Sequence, residues 1–142
     1  MTEGNTRLET EAQAVLNAYA TLNRNDLSGF IDIFDPQIEW SLPEEWPGGG
    51  TFRGFDAVSA LLKTSRETWA EGTCEPERYV VVGDRILLYA HVHVRLKTET
   101  EYRVGDIVDV FTFRNGKAIQ IRTFGDADAA LKYVEAGASN AD

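Results

Sequence analysis

The sequence contains few of the residues that bind metal ions or form disulfide bonds. Among its 142 residues are one cysteine, Cys74, and two histidines, His91 and His93. A single cysteine cannot form an intrachain disulfide bond, and these three side chains do not make up the Cys/His set of a structural zinc site. We therefore expect no metal, no other cofactor and no oxidising compartment.

Basic residues and long apolar segments are also scarce. Fourteen Lys and Arg residues stand against 23 Asp and Glu, a net charge of -9, so nucleic acid and anionic membranes would repel the chain. No segment approaches the roughly 18 apolar residues that a membrane helix needs. Residues 1–7 lack the basic and apolar regions of a secretory signal. We expect a cytoplasmic protein that binds neither nucleic acid nor membranes.

The remaining composition is that of an ordinary globular protein. Hydrophobic residues make up 43% of the chain, aromatic residues 11% and charged residues 26%, and this length suits one domain. We expect a single domain over residues 1–142 with its core in about 10–136. The termini, residues 1–6 and 138–142, are predicted to be flexible.

Apolar residues spaced three and four apart predict four helices. The first covers residues 8–22, and a short second helix follows Asp26, which can cap it. The third begins at Asp56 and is expected to end at Gly72. The fourth covers residues 127–134.

Alternating apolar and polar residues predict five strands. They cover residues 38–42, 75–82, 85–97, 102–114 and 117–124. Gly83-Asp84 and Asn115-Gly116 have the chemistry of tight hairpin turns. The order predicts an α+β domain in which helices cover one face of a five-stranded antiparallel sheet.

This order and several local motifs resemble the nuclear transport factor two-like superfamily, in its SnoaL-like and ketosteroid-isomerase-like branch. The motifs are Tyr19-Ala-Thr-Leu-Asn-Arg-Asn-Asp-Leu27, Gly49-Gly-Thr-Phe-Arg-Gly-Phe-Asp-Ala-Val58, Val82-Gly-Asp-Arg-Ile86 and Asp109-Val-Phe-Thr-Phe-Arg-Asn-Gly-Lys117. The resemblance implies a cone-shaped sheet wrapped around the N-terminal helices, a cystatin-like α+β roll. It also implies an apolar pocket open at one end and a homodimer formed through the convex face of the sheet.

The register of the central hairpin determines which residues face that pocket. With the chain reversing at residues 98–99, Leu88 pairs with Asp109 and both face the pocket, whereas His91 and His93 face away. A slip of one residue would exchange the two faces. The histidines would then become the catalytic candidates.

Asp109 is the leading catalytic candidate. It lies in the apolar segment 107–113, where burial disfavours the charged form of a carboxyl group and raises its pKa, as a general base or a protonated donor requires. The resemblance implies the same role, because Asp109 falls where ketosteroid isomerases hold a protonated aspartic acid. The structural alternative is a buried carboxyl satisfied by Arg103, Tyr19 or a backbone amide.

Other catalytic residues of the resembled enzymes are missing. Trp40 stands in place of the proton-shuttling aspartate of the isomerases, and Ala18 and Leu62 stand in place of their tyrosines. SnoaL-type cyclases have an acidic residue near the position that Thr123 occupies in this sequence. The known catalytic sets therefore do not transfer, apart from Asp109.

Aromatic residues are the main candidates for lining the pocket. Trp40, Trp46 and Trp69 could form a wall for a flat apolar ligand, although Trp40 and Trp69 could equally be core residues. Trp46 lies in the Gly/Pro-rich loop of residues 43–50, which suggests a lid. The full set of substrate-binding candidates is Trp40, Trp46, Tyr19, Leu62, Trp69, Val92, Arg103, Ile107, Phe111 and Thr123.

The two histidines have a functional and a structural interpretation. As neighbours on one strand face they could bind a metal ion or act as a base, but two nitrogens without a third ligand make a weak site. In the register above, His91 lies opposite Asp106, which favours a cross-strand ion pair.

Two functions are consistent with these residues. The first is cofactor-free proton transfer, such as isomerisation, cyclisation or dehydration of a steroid- or polyketide-like carbonyl compound, with Asp109 as the acid/base group. The second is a non-catalytic module of the same fold that binds a small apolar molecule or dimerises, because fold alone does not settle function.

Overall fold

The computed structural model describes the backbone of residues 3–140 and the side chains of residues 8–136. Its elements, in chain order, are α1 (Glu3–Asn23), α2 (Ser28–Ile33), β1 (Phe34–Leu42), β2 (Gly50–Arg53), α3 (Phe55–Glu67), β3 (Trp69–Val82), β4 (Arg85–Leu96), β5 (Arg103–Arg114), β6 (Lys117–Phe124) and α4 (Ala127–Asn140). The predicted α+β class is confirmed. The predicted flexible termini lie partly outside the described residues, and their flexibility stays a prediction.

The six strands form one curved, mixed sheet in the order β2-β1-β6-β5-β4-β3. The prediction of five antiparallel strands was wrong in two respects. Residues 50–53 form a further short strand that pairs with β1, and β1 pairs with β6 in parallel. The β1–β6 pair has no local turn signal, because it joins segments far apart in the chain, and β2 is only four residues long, too short for a clear alternation of apolar and polar residues.

The central hairpin has the predicted register. Leu88 pairs with Asp109 and His91 pairs with Asp106. The tight turn after β5 is also as predicted, with positive φ at both Asn115 and Gly116, the geometry of a type I′ hairpin. We call the face of the sheet that carries Asp109 the inner face and the one that carries His91 the outer face.

Helices cover both faces of the sheet, unequally. Helices α1, α2 and α3 pack on the inner face, where Tyr19, Phe30 and Phe111 belong to one large cluster. Helix α4 packs on the outer face, where Ala130 and Val134 contact a smaller cluster. The expectation that helices cover one face was therefore wrong for α4, which shields part of the outer face.

The predicted boundaries of the third helix were wrong. Helix α3 ends at Glu67, and Trp69 begins strand β3. Gly72 lies within β3, where φ is 126° and a Cβ atom would come within 2.2 Å of the His93 carbonyl oxygen. The residue before the helix is Gly54, and Asp56 lies in its first turn. The local spacing of apolar residues predicted a helix up to Gly72. Pairing of β3 with β4 instead favours an extended conformation from Trp69 onward.

Within the described residues, the helices are all too short or too polar to cross a membrane.

Candidate functional site

A cavity of about 230 Å³ lies between helices α1–α3 and the inner face of the sheet. Its walls are mainly apolar, and they include side chains from the three helices and from strands β1, β4 and β5: Leu22, Phe30, Leu61, Leu62, Leu42, Val92 and Ile107. The curvature of the sheet holds its inner face away from the helices here. An apolar cavity with a few polar groups is the usual form of a small-molecule site.

All three tryptophans of the chain line this cavity. Trp40 is buried on β1 and stacks with Phe30, their ring centroids 6.0 Å apart. Trp69 lies at the start of β3. The structure thus places all three tryptophans at one cavity, and their role in binding a ligand stays a prediction.

Trp46 separates the cavity from an outer groove. Its half-buried ring lines both spaces and packs on Gly125, where a Cβ atom would lie 3.2 Å from it. The outer groove, of about 830 Å³, is bordered by Glu44, Glu45 and Asp126. Trp46 thus lies between the two spaces, and its role as a lid stays a prediction.

Asp109 is the carboxyl group of the cavity, and it is 4% exposed. The Tyr19 hydroxyl donates a hydrogen bond to Oδ2 of Asp109. The Thr123 hydroxyl donates to Oδ1 at 2.5 Å, and the Trp40 indole N–H donates to the Thr123 oxygen at 3.0 Å. Four residues from three strands and helix α1 therefore form one chain of hydrogen bonds that ends on the carboxyl group.

Burial dominates the electrostatics of this network. Loss of water raises the pKa of Asp109 above its ordinary value, although the hydrogen bonds from Thr123 and Tyr19 oppose the shift. Burial also raises the pKa of Tyr19 well above its ordinary value, and the charge of Asp109 adds to this. The Cys74 thiol, which lines the cavity too, has its pKa raised by burial first and then by Asp109. Burial therefore favours the protonated forms of the Tyr19 phenol, the Cys74 thiol and the Asp109 carboxyl group, and the hydrogen bonds that Asp109 accepts offset part of this effect on the carboxyl group.

Two of the proposed binding residues lie outside the cavity lining. Arg103 is exposed and forms an ion pair with Glu99 at 2.6 Å, so it is not the partner of Asp109. Phe111 is fully buried and packs against Tyr19 and Phe30 behind the cavity wall. The other candidates, Trp40, Trp46, Tyr19, Leu62, Trp69, Val92, Ile107 and Thr123, all line the cavity.

Several lining residues were missed in the sequence. Besides Leu22, Phe30, Leu42 and Cys74, they include Leu61, Ser65 and Arg66 of helix α3. Arg66 follows the predicted lining residue Leu62 by four positions, which is the spacing of one helix face. That spacing is the sequence signal that could have found Arg66.

The histidines lie on the outer face, away from the cavity. His91 Nδ1 lies 2.9 Å from Asp106 Oδ1, as the cross-strand interpretation predicted, and the His93 ring stacks on Tyr102. Glu77, His91 and Asp106 have ligand atoms within 4.8 Å of one another. Both carboxylates of this set are exposed, and the His91–Asp106 pair accounts for its geometry without a metal ion.

Solved structures with the same fold are numerous. An NTF2-like protein from Burkholderia xenovorans LB400 is 32% identical, with 87% of this chain and 95% of that chain covered and a TM-score of 0.70. TerC, co-crystallised with polyporic acid, is 25% identical, with 88% and 98% covered and a TM-score of 0.71. A protein with a cystatin-like fold from Xanthomonas campestris is 17% identical, with 84% and 92% covered and a TM-score of 0.70, which shows the fold alone.

Sequence comparison identifies the family. None of the curated protein sequences matches the chain. The family model of the SnoaL-like domain matches residues 15–121, which run from the middle of α1 into β6 and include most of the cavity. On this match the chain belongs to the SnoaL-like domain family, within the NTF2-like superfamily.

Proposed function

We propose that the protein catalyses cofactor-free proton transfer on a small carbonyl compound bound in the cavity, with Asp109 as the acid/base group. The observation that supports this most is that a buried carboxyl group lines an apolar cavity. Each of its two oxygens accepts a hydrogen bond. Its raised pKa moves it towards the neutral range in which a general acid or base works best.

The chemical step uses the carboxylate form of Asp109. The carboxylate takes a proton from the carbon next to the ligand carbonyl, and the C–H electron pair forms a C=C bond while the carbonyl oxygen takes the negative charge. The protonated Asp109 then returns the proton to another carbon in an isomerisation, or to a departing hydroxyl group in a dehydration. Tyr19 and Thr123 hold the carboxyl group in place throughout, which limits reorganisation.

The volume of the cavity limits the size of the ligand. At about 230 Å³ it falls below the range of about 300–1,000 Å³ that is usual for drug-sized ligands. A one-ring carbonyl compound is favoured, and a steroid- or polyketide-sized compound would require Trp46 and its loop to move outward. The co-crystal of TerC with polyporic acid supports a small organic molecule as the ligand class.

Deuterium exchange tests this proposal without knowledge of the natural substrate. The protein is incubated in D₂O with phenylacetone or 2-indanone, and loss of the α-proton signals is followed by NMR. We expect exchange above the solvent rate, reduced about 100-fold or more in Asp109→Asn. Asp106→Asn is the matched control, because Asp106 lies on the same strand but faces outward, and it should leave the rate unchanged.

The opposite result favours the second candidate. If wild-type protein and Asp109→Asn exchange these ketones equally, or neither exceeds the solvent rate, the proton-transfer proposal is wrong. The protein would then be a non-catalytic binding module. The apolar residues Ala18, Trp40 and Leu62, at positions where related isomerases carry catalytic groups, are the observation that keeps this alternative.

We also propose a homodimer formed through the part of the outer face that α4 leaves uncovered. Val104 is 62% exposed and Tyr102 is 40% exposed there. Large exposed apolar side chains on a sheet are typical of an interaction surface. A second copy of this chain would cover them.

A further inference from the structure

Among the described residues that line the cavity, Arg66 is the one with a basic side chain. It lies in the last turn of helix α3 and is half-buried, and its guanidinium group contacts Leu22 and Trp69, which line the cavity too. The other lining residues are apolar, neutral polar or, in Asp109, acidic. A cation at such a wall is unusual, because partial burial of a charge is unfavourable unless something compensates it.

The contacts of Arg66 fix its guanidinium plane and leave it without an ion pair. Its Nε–H donates to the Leu22 carbonyl oxygen at 2.9 Å, and the group lies over the Trp69 ring, 4.6 Å from the centroid. In the described part of the chain, the arginines that have carboxylate partners are Arg53, Arg95 and Arg103. Arg66 has none, although it loses water: burial lowers its pKa.

An oriented guanidinium with free terminal N–H groups suits one type of ligand group. Its planar fork matches the two oxygens of a carboxylate, and the resulting charge-assisted hydrogen bonds are about twice as strong as neutral ones. The Leu22 and Trp69 contacts restrict the side chain before binding, which lowers the entropy cost of ordering it. The partly dry cavity strengthens the interaction further.

From this geometry we propose that the cavity ligand is a small apolar carboxylate whose carboxyl group binds Arg66 while its ring packs among the three tryptophans. The proposal rests on the proposed function only for the choice of this cavity as the site, and it adds the substrate class: an aromatic or aliphatic keto acid, which binds more tightly than a neutral ketone of the same size. The net charge of -9 makes the long-range field unfavourable to anions. Selection of the ligand therefore depends on the short-range contact with Arg66.

Binding of a matched pair of compounds tests the proposal. Phenylacetate and phenylacetamide have nearly the same shape, but only the first is an anion. Because Trp40, Trp46 and Trp69 all line the cavity, binding is followed by tryptophan fluorescence and confirmed by calorimetry. We expect wild-type protein to bind phenylacetate about tenfold or more tightly than phenylacetamide.

Variants of helix α3 locate the effect. Arg66→Gln should reduce the preference to within about twofold, and Arg66→Lys, which keeps the charge but loses the fork, should leave an intermediate preference. Lys63→Gln removes the same charge from an exposed position of the same helix and should keep the full preference. A thermal unfolding curve for each variant shows that it is folded.

Three results would overturn the proposal. They are equal affinities of the wild-type protein for the two compounds, an unchanged preference in Arg66→Gln, and no binding of phenylacetate at millimolar concentration. Asp109→Asn should keep the preference for the anion even though it stops proton exchange. Failure of the catalytic proposal and failure of the carboxylate proposal are therefore distinguishable.

Discussion

The pKa of Asp109 results from two opposing effects on one side chain. Removal from water raises it, and the hydroxyl groups of Thr123 and Tyr19 lower it. The Trp40 indole N–H can only donate, so the Thr123 oxygen accepts from it and the Thr123 hydrogen is directed at Asp109. Trp40 thus orients the residue that holds the carboxyl group.

Thr123 provides a prediction at this scale. Thr123→Val keeps the shape but leaves the buried Trp40 N–H without an acceptor, so the free energy of unfolding should fall by about 1–3 kcal/mol. Thr123→Ser keeps the hydroxyl, so its free energy of unfolding should fall by less. Urea unfolding of the three proteins at one pH measures this. Equal losses in the Val and Ser variants would show that the hydroxyl does not hold the network together.

Some contacts between helices and strands have no signal in the sequence. Asn23, the last residue of helix α1, uses its side-chain amide like a strand partner. Its Nδ2 donates to the Cys74 carbonyl at 3.0 Å, and its Oδ1 accepts from the Cys74 N–H at 2.9 Å. The end of α1 is thereby fixed to strand β3, beside the cavity residue Leu22.

Asn23→Ala should destabilise the protein by about 1–3 kcal/mol, because it leaves both backbone groups of Cys74 without these partners. The measurement is urea unfolding. Asn25→Ala is not a suitable control, because Asn25 has a positive φ of 63°, so the control is Asn17→Ala in the same helix. A loss in Asn23→Ala no larger than that of the control would contradict this role.

The sequence predicted elements whose signal is local and missed those whose signal is not. The β4–β5 register was predictable because alternation places Leu88 and Asp109 on one face. The parallel β1–β6 pair was not, because no turn connects its strands. Trp69 was assigned to a helix because it continued a helical spacing, whereas long-range pairing with Leu96 makes it the start of β3.

The candidate site divides in the same way. Asp109 and the three tryptophans could be predicted from residue type and pattern. Tyr19 was considered as one of several possible partners of Asp109, and the structure selects it together with Thr123. The spacing from Leu62 could have placed Arg66 at the cavity, but its contacts with Leu22 and Trp69 are long-range and have no signal in the sequence.

In the whole molecule, the two faces of the sheet differ in what covers them. The inner face and helices α1–α3 enclose the cavity, whereas the outer face is divided between α4 and an exposed region that carries Val104 and His93. A dimer on this exposed region would leave the cavity free. The catalytic and association properties should therefore change independently.

Val104→Glu tests this separation. A charge at the centre of the exposed region should convert the dimer to a monomer, because burying it against a second copy is unfavourable. Light scattering coupled to gel filtration gives the mass, with Thr100→Glu in the preceding turn as the control. A monomeric wild-type protein would contradict the dimer, and an unchanged dimer in Val104→Glu would contradict this location.

The most direct test of the acid/base role of Asp109 is the pH profile of deuterium exchange into phenylacetone. Of the groups with shifted pKa values that face the cavity, Tyr19 and Cys74 are shifted upward and Arg66 downward from a high value. Asp109 is the carboxyl group among them, and the proposal assigns it as the base.

If the carboxylate is the base, the exchange rate in excess of the solvent rate should rise with pH as Asp109 loses its proton. The midpoint should lie above the ordinary carboxyl value of about 3.9, and Asp109→Asn should show no such rise. A rate that is independent of pH, a midpoint at the ordinary value, or an identical profile in Asp109→Asn would contradict the account.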